Sequence, residues 1–198
     1  MFALTLSSCC PITLVYRLTS FDVEDRPFTV SCSPVTEDLL MSVLSSVKIK
    51  ANLVISDDSS NLRALKEGLT DIIILDDPEF LFTAEEFEWA EIGNMDMVHV
   101  DKGPSYIRYK YGAQRIAYAY LDTTGEKYSV DAETYLLSDL ISSGKSFFVD
   151  EMLLIRKGIR IKSDTDKRLL RHTINAVYRR DTPQIAKLLR AIQSKQVQ

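Results

Sequence analysis

The sequence predicts a two-lobed α/β protein, and three observations carry that prediction. A unit of helix end, glycine, apolar run and paired acids is written twice, as "LKEGLTDIIILDD" (residues 65–77) and "LISSGKSFFVDE" (residues 140–151). Over residues 27–77, apolar runs of strand length alternate with amphipathic stretches, the pattern of parallel strands joined by crossover helices. Between the two units stands Gly103-Pro104, a boundary signal.

"ITLVYR" (residues 12–17) and "PFTVSCS" (residues 27–33) read as strands. Ser33 is a suitable N-cap, and Pro34 sits at a first helical position, where its missing N–H costs nothing. Leu39, Leu40, Val43 and Leu44 then make one apolar helix face. "IKANLVIS" (residues 49–56) is the next strand, and Asp57, Asp58, Ser59 and Ser60 are cap-type residues at its exit. The short helix "NLRALKEG" ends near Gly68. "DIIILDD" is a continuous β-branched run, which marks a strand buried on both faces.

The acidic stretch "PEFLFTAEEFEWAEIGN" reads as partly helical, and "MDMVHVDKG" as a strand. "SYIRYKYG" reads as a strand or hinge segment with alternating sides. "RIAYAYL" predicts a strand, "DTTGEKYS" a loop, "VDAETYLLSDLISSG" a helix and "KSFFVDEMLLI" a strand. Two amphipathic helices follow, split by Thr182-Pro183. Leu169, Leu170, Ile174 and Val177 mark the first, and Ile185, Leu188, Leu189 and Ile192 the second. The expected organisation is lobe 1 over residues 1–97, a small lobe 2 over 98–156, and C-terminal helices over 157–198 packing back on lobe 1.

With 45% hydrophobic and 26% charged residues, the composition is that of a globular chain. No apolar run approaches the ~20 residues that span a bilayer. Cys9, Cys10 and Cys32 are odd in number and lack C-x-x-C spacing, so neither a disulfide framework nor a zinc site is expected. "LSSC" ahead of Cys9 has the shape of a lipoprotein-processing box, but no Lys or Arg precedes it. The sequence as written therefore predicts a cytoplasmic protein, and an extracytoplasmic lipoprotein only if the true start lies upstream of Met1. Charge is unevenly placed: residues 1–155 hold 12 Lys+Arg against 25 Asp+Glu, and residues 156–198 hold 12 against 3. Regular apolar spacing in the basic end argues for packing beside the acidic body rather than for a nucleic-acid tail.

At "FTVSCSPVTEDLLMSVLSS", "KIKANLVISDDSSNLRALKEGLTDIIILDD" and "RIAYAYLDTTG...LLSDLISSGKSFFVDEML", residues 27–155 resemble the type 2 periplasmic-binding-protein-like superfamily. The nearest flavour is the nitrate/sulfonate/thiamine-precursor solute-binding group, with menaquinone-pathway enzymes on the same scaffold. The resemblance implies a cleft between lobes that closes on a small polar ligand, with a reduced second lobe. It implies first-lobe contacts from Ser33, Pro34, Thr36, Asp58, Ser59, Asp76 and Asp77. From the second lobe it implies Asp122, Thr123, Thr124 and Gly125, with Asp150 and Glu151 near the hinge. An ABC-transporter-type partner would follow only if an upstream signal sequence exists.

The residues themselves qualify the ligand. Glu37 and Asp38 offset the attraction of the first helix N-terminus for anions, and no arginine stands at the strand ends. Asp57, Asp58, Asp76, Asp77, Asp150 and Glu151 suit a cationic or polyhydroxyl ligand instead. His99 and His172 have no partner at metal-ligand spacing, Cys32 has no placeable histidine, and there is no Walker-A or G-x-G-x-x-G run. Non-catalytic binding without a cofactor is therefore the expected function. The alternative is an enzyme on the same scaffold, either menaquinone-pathway-like or phosphoribosyltransferase-like. For the latter, Ser143, Gly144, Lys145 and Ser146 are similar to a phosphate loop.

Overall fold

The computed structural model describes residues 27–47, 49–125, 127–160 and 170–196. The expected strand at 12–17, the box at Cys9 and the helix-face residue Leu169 lie outside the described residues. The first unit follows the sequence closely. Strand β1 (Thr29–Cys32), helix α1 (Glu37–Val47), β2 (Asn52–Ile55), α2 (Asp58–Lys66) and β3 (Ile72–Leu75) occur in the expected order. β1 pairs in parallel with both β2 and β3, as crossover helices require. The four residues of β3 are all buried, which is why that run carries no polar alternation.

A 3₁₀ turn (Pro78–Thr83) leads to β4 (Glu88–Val100), the longest strand. Next come β5 (Ser105–Tyr109), α3 (Gln114–Thr124), β6 (Ser129–Thr134), α4 (Leu137–Ser142), β7 (Phe147–Asp150) and α5 (Glu151–Arg156). The chain returns through β8 (Arg171–Tyr178) and ends in α6 (Pro183–Gln196). The main sheet runs β2-β1-β3-β8-β4-β7, and β5 pairs with β6.

β4 and β8 join the two halves. Glu88–Asp96 of β4 pairs antiparallel with β8, and Met97–Val100 pairs antiparallel with β7. The strand changes partner between Asp96 and Met97, and a bulge lies between Glu91 and Gly93. The two glycine-led strands, β3 and β7, are not neighbours, because β8 and β4 run between them. The largest apolar cluster is continuous across the halves, taking Val30, Ile72 and Ile74 from one and Phe147, Val149 and Leu153 from the other.

Five local expectations are corrected. "KSFFVDEMLLI" is strand only over Phe147–Asp150, with helix α5 from Glu151. "RIAYAYL" is not a strand but most of α3. Its buried residues Ala117 and Leu121, with Ala113 before them, recur every four positions, and the tyrosines between them mimicked alternation. "VDAET" is strand β6 rather than helix, with α4 only six residues long. Of the acidic stretch read as partly helical, only the 3₁₀ turn is helical, and Glu88 onward is already β4. The first of the two expected C-terminal helices is strand β8 from Arg171. Ile174 and Val177 belong to apolar clusters on different sides of the sheet, so they never formed one helical face. The second, α6, is a helix as expected. It buries Ile185, Leu188 and Ile192 in the core shared with α1.

Candidate functional site

The carboxyl ends of β1, β3 and β7 converge where the halves meet. Polar residues collect there because a strand end frees backbone groups from the sheet, while the adjoining helix starts need side-chain acceptors. After β1, Ser33 is buried, and its Oγ accepts the Val35 N–H at 3.1 Å and donates to Asp76 Oδ2. The turn it organises places the helix start at Glu37, so Thr36 rather than Ser33 precedes the helix, and Pro34 is in the turn. Thr36 is wholly buried and its carbonyl accepts the Leu40 N–H.

Asp57 is the N-cap of α2, accepting the Ser60 N–H at 2.9 Å. That leaves Asp58 free to turn inward. Its Oδ2 accepts the backbone N–H groups of Asp76 (3.2 Å) and Asp77 (2.9 Å), tying α2 to the end of β3. Its Oδ1 finds no partner. Burial, with Asp76 alongside, raises the Asp58 pKa well above the usual carboxyl value. The rise favours the protonated form of Asp58, since a second buried carboxylate beside Asp76 would be costly to ionise. Asp77 caps the 3₁₀ turn through the Glu79 N–H, and burial raises its pKa too.

From the other half comes Asp150, only 2% exposed, capping α5 through the Met152 N–H at 2.9 Å. Its Oδ2 is buried without a partner. Desolvation pushes its pKa up to about 7, and the charge of Asp76 adds to the rise. No ion pair to Lys or Arg is formed by Asp58, Asp76, Asp77 or Asp150 among the described residues. Cations stand at the rim instead: Arg115, bonded to Glu79, offsets part of the rise at Asp77, and Arg156, bonded to Asp38, part of that at Asp150.

The structure thus brings together Ser33, Thr36, Asp58, Asp76, Asp77 and Asp150. Pro34 and Glu151 are half-buried beside them, and Ser59 is exposed on α2. It does not bring in Asp122, Thr123, Thr124 and Gly125. These are not a loop after a strand but the exposed end of α3 and its left-handed cap, about 16 Å along the helix from its start. The Thr123 and Thr124 hydroxyls bond helix carbonyls, and Asp122 accepts from the Tyr128 hydroxyl. The similarity of residues 143–146 to a phosphate loop fails in the same way. Ser146 Oγ donates to the Gly103 carbonyl, and Lys145 pairs with Asp131.

Two residues at the crevice were missed. Buried His172 looks across from the start of β8, and Tyr109 ends β5. Both feel the charge of Asp76, while burial lowers the His172 pKa and raises that of Tyr109 to about 12. His172 was concealed by the mistaken helix. Tyr109 was legible only as one of several tyrosines. Cys32 is fully buried, and burial pushes its thiol pKa upward, which disfavours a thiolate nucleophile. Among the described residues no group of His, Cys, Asp and Glu is arranged to hold a metal ion.

Two α/β halves, joined by crossing strands and sharing a crevice at strand carboxyl ends, define the two-lobed type 2 periplasmic-binding-protein-like architecture. Solved structures that share this fold include the regulatory domains of OxyR2 and HypT and the LysR family transcriptional regulator CbnR. The reduced form of the OxyR2 regulatory domain from Vibrio vulnificus superimposes with TM-score 0.66 at 14% identity, covering 90% of this chain and 99% of that one. The oxidised form of OxyR gives 0.62 at 16%, covering 89% and 98%. CbnR, a LysR family transcriptional regulator, gives 0.61 at 13%, covering 84% of this chain and 68% of CbnR. No protein-family model and no curated protein matches the chain.

Proposed function

We propose that this chain is a sensory module that captures a small polar ligand in the crevice between its lobes and performs no chemistry on it. The observation that carries the reading is the convergence of Ser33, Asp58, Asp76, Asp77 and Asp150 from both halves at strand carboxyl ends, the place where open α/β sheets bind ligands. Partnerless Asp150 Oδ2 favours a ligand that donates hydrogen bonds, an amine or a polyol. The crevice groups are buried, so capture involves separation of the lobes about β4 and β8. The lobe boundary at 97/98 belongs to the same proposal, supported by the partner change between Asp96 and Met97. So does the return of residues beyond 157 to lobe 1, supported by α6 against α1 and β8 beside β3.

The sensory reading is favoured over transport because similar folds include regulatory domains and a transcriptional regulator. It implies a cytoplasmic setting and an output in transcription, delivered through a nucleic-acid partner of the full-length protein. No helix among the described residues is long and apolar enough to cross a membrane. A thermal-shift screen of amines, sugars, small acids and pyrimidines tests the proposal. Amines or polyols should raise the melting temperature, since a ligand that binds only the folded state stabilises it. Asp76→Asn should abolish that rise. Turnover of a hit, or a rise that survives Asp76→Asn unchanged, would overturn the reading.

A further inference from the structure

We infer that a second site lies outside the crevice, in the surface cavity between α3 and the β5–β6 pair, and that it takes a small carboxylate with a flat apolar body. The cavity measures about 520 Å³ and is lined by Arg108, Tyr118, Tyr128, Val130, Asp131, Ala132 and Glu133. Its two acids are already matched. Glu133 is in contact with Lys110, and Asp131 accepts from the Ser105 and Ser129 hydroxyls and pairs with Lys145 at 3.4 Å. The guanidinium of Arg108 is matched only in part, by an ion pair with Glu133. Of its five N–H donors it uses one, from Nη1, on a long 3.5 Å contact to Glu133. Its Nε is buried without a partner, and so is the hydroxyl of Tyr118.

Unmet buried donors disfavour an empty site, and an acceptor with two oxygens satisfies both. A planar guanidinium matches a carboxylate in two-pronged geometry, a fit that a lysine cannot reproduce. The walls set the rest of the ligand. The rings of Tyr118 and Tyr128 lie 5.4 Å apart with a 31° tilt, and Val130 is 42% exposed beside them. Such a wall accepts the face of a flat apolar group. The crevice, lined by carboxylates, favours the opposite charge, so the two sites select different ligands.

Calorimetric titration of the full chain with benzoate tests the inference, with benzamide and inorganic phosphate as comparisons. Benzoate should bind saturably, and benzamide and phosphate about tenfold more weakly. Arg108→Gln should weaken benzoate by about tenfold, and Arg108→Lys should not restore it. Tyr118→Phe keeps the ring and should weaken binding severalfold, which gives a reading even if the Arg108 variants fold poorly. Asp76→Asn, in the crevice, should leave benzoate binding unchanged. No saturation by benzoate, equal binding of benzamide or phosphate, or a loss in Asp76→Asn but not in the Arg108 and Tyr118 variants would each overturn it.

Discussion

Asp96 and Arg171 face each other at the point where β4 leaves β8 for β7. They are joined side-on, with Arg171 Nε donating to Oδ1 at 2.7 Å and Nη2 to Oδ2 at 3.0 Å. This two-pronged pair clamps the crossing strands at the position about which the lobes would separate. Arg171 is exposed and Asp96 half-buried, so solvent screens the pair and its contribution to global stability is small. Its effect should be local. Arg171→Ala should speed hydrogen exchange at Met95 to Val98 more than at β1 or β3, while the urea midpoint barely moves. Uniform acceleration across the sheet would show that the pair holds the whole fold and not the crossing.

Much of the first half was legible because local signals agreed with the tertiary result. The repeated plan of helix end, glycine, apolar strand and acids occurs twice in space. Gly68 and Gly144 both have positive φ, as a turn from helix to strand demands, and β3 and β7 are buried throughout. The acids at the ends of these strands, Asp76, Asp77 and Asp150, stand where the lobes meet. The second half misled because its signals conflict. α3 begins at Gln114 behind Ala113, which offers no side-chain cap, so nothing in the residues announces a helix. β8 is buried on both faces, so its apolar residues show no alternation and fit a helical spacing equally well. Which of the crevice acids hold a proton depends on contacts 18 or more residues apart in sequence, and no pattern within one segment reports that.

Asp58 acts as a brace between α2 and β3 as well as a candidate ligand contact. Asp58→Ala removes the acceptor for two buried N–H groups and should cost about 2–3 kcal/mol of unfolding free energy. Asp58→Asn retains an acceptor oxygen and should lose much less. Urea denaturation of the two variants checks this ordering. Equal losses would mean that the carboxylate charge, not acceptance of the two N–H groups, is what matters.

Stability should carry a pH signature of Asp150. Its folded pKa of about 7 lies above the ordinary 3.8, so between these values the folded protein holds a proton that the unfolded chain has released. The stabilisation is complete below about pH 4 and is lost as pH rises through about 7. Asp58, raised in the same direction, adds to the decline. His172 opposes it, since burial lowers its pKa and its contribution grows as pH rises toward 6.5. Asp150→Asn keeps a cap oxygen and removes the titration. Its stability relative to the parent should therefore improve by on the order of 2–4 kcal/mol between about pH 4.5 and 7.5. Parallel urea curves across that range would mean that Asp150 is already ionised in the fold.

The basic C-terminal part should prove structural, for a different reason in each element. β8 sits between β3 and β4, so removing it strips hydrogen-bond partners from two strands and separates the halves at the sheet. A chain ending before residue 170 should therefore fail to fold, with loss of cooperative melting. α6 contributes through packing, with Ile185, Leu188 and Ile192 at most 1% exposed in the cluster that α1 also enters. Leu188→Ala should cost about 3 kcal/mol, the usual penalty for emptying a buried leucine site. Arg179 and Arg180 are exposed, yet Arg179 donates to the Leu65 and Lys66 carbonyls at the end of α2. A free basic tail would make no such contacts. Replacing Arg180 alone should leave the melting temperature unchanged, whereas Arg179→Ala should lower it, because only Arg179 closes a helix end. If the two behave alike, this part of the chain contributes charge and not architecture.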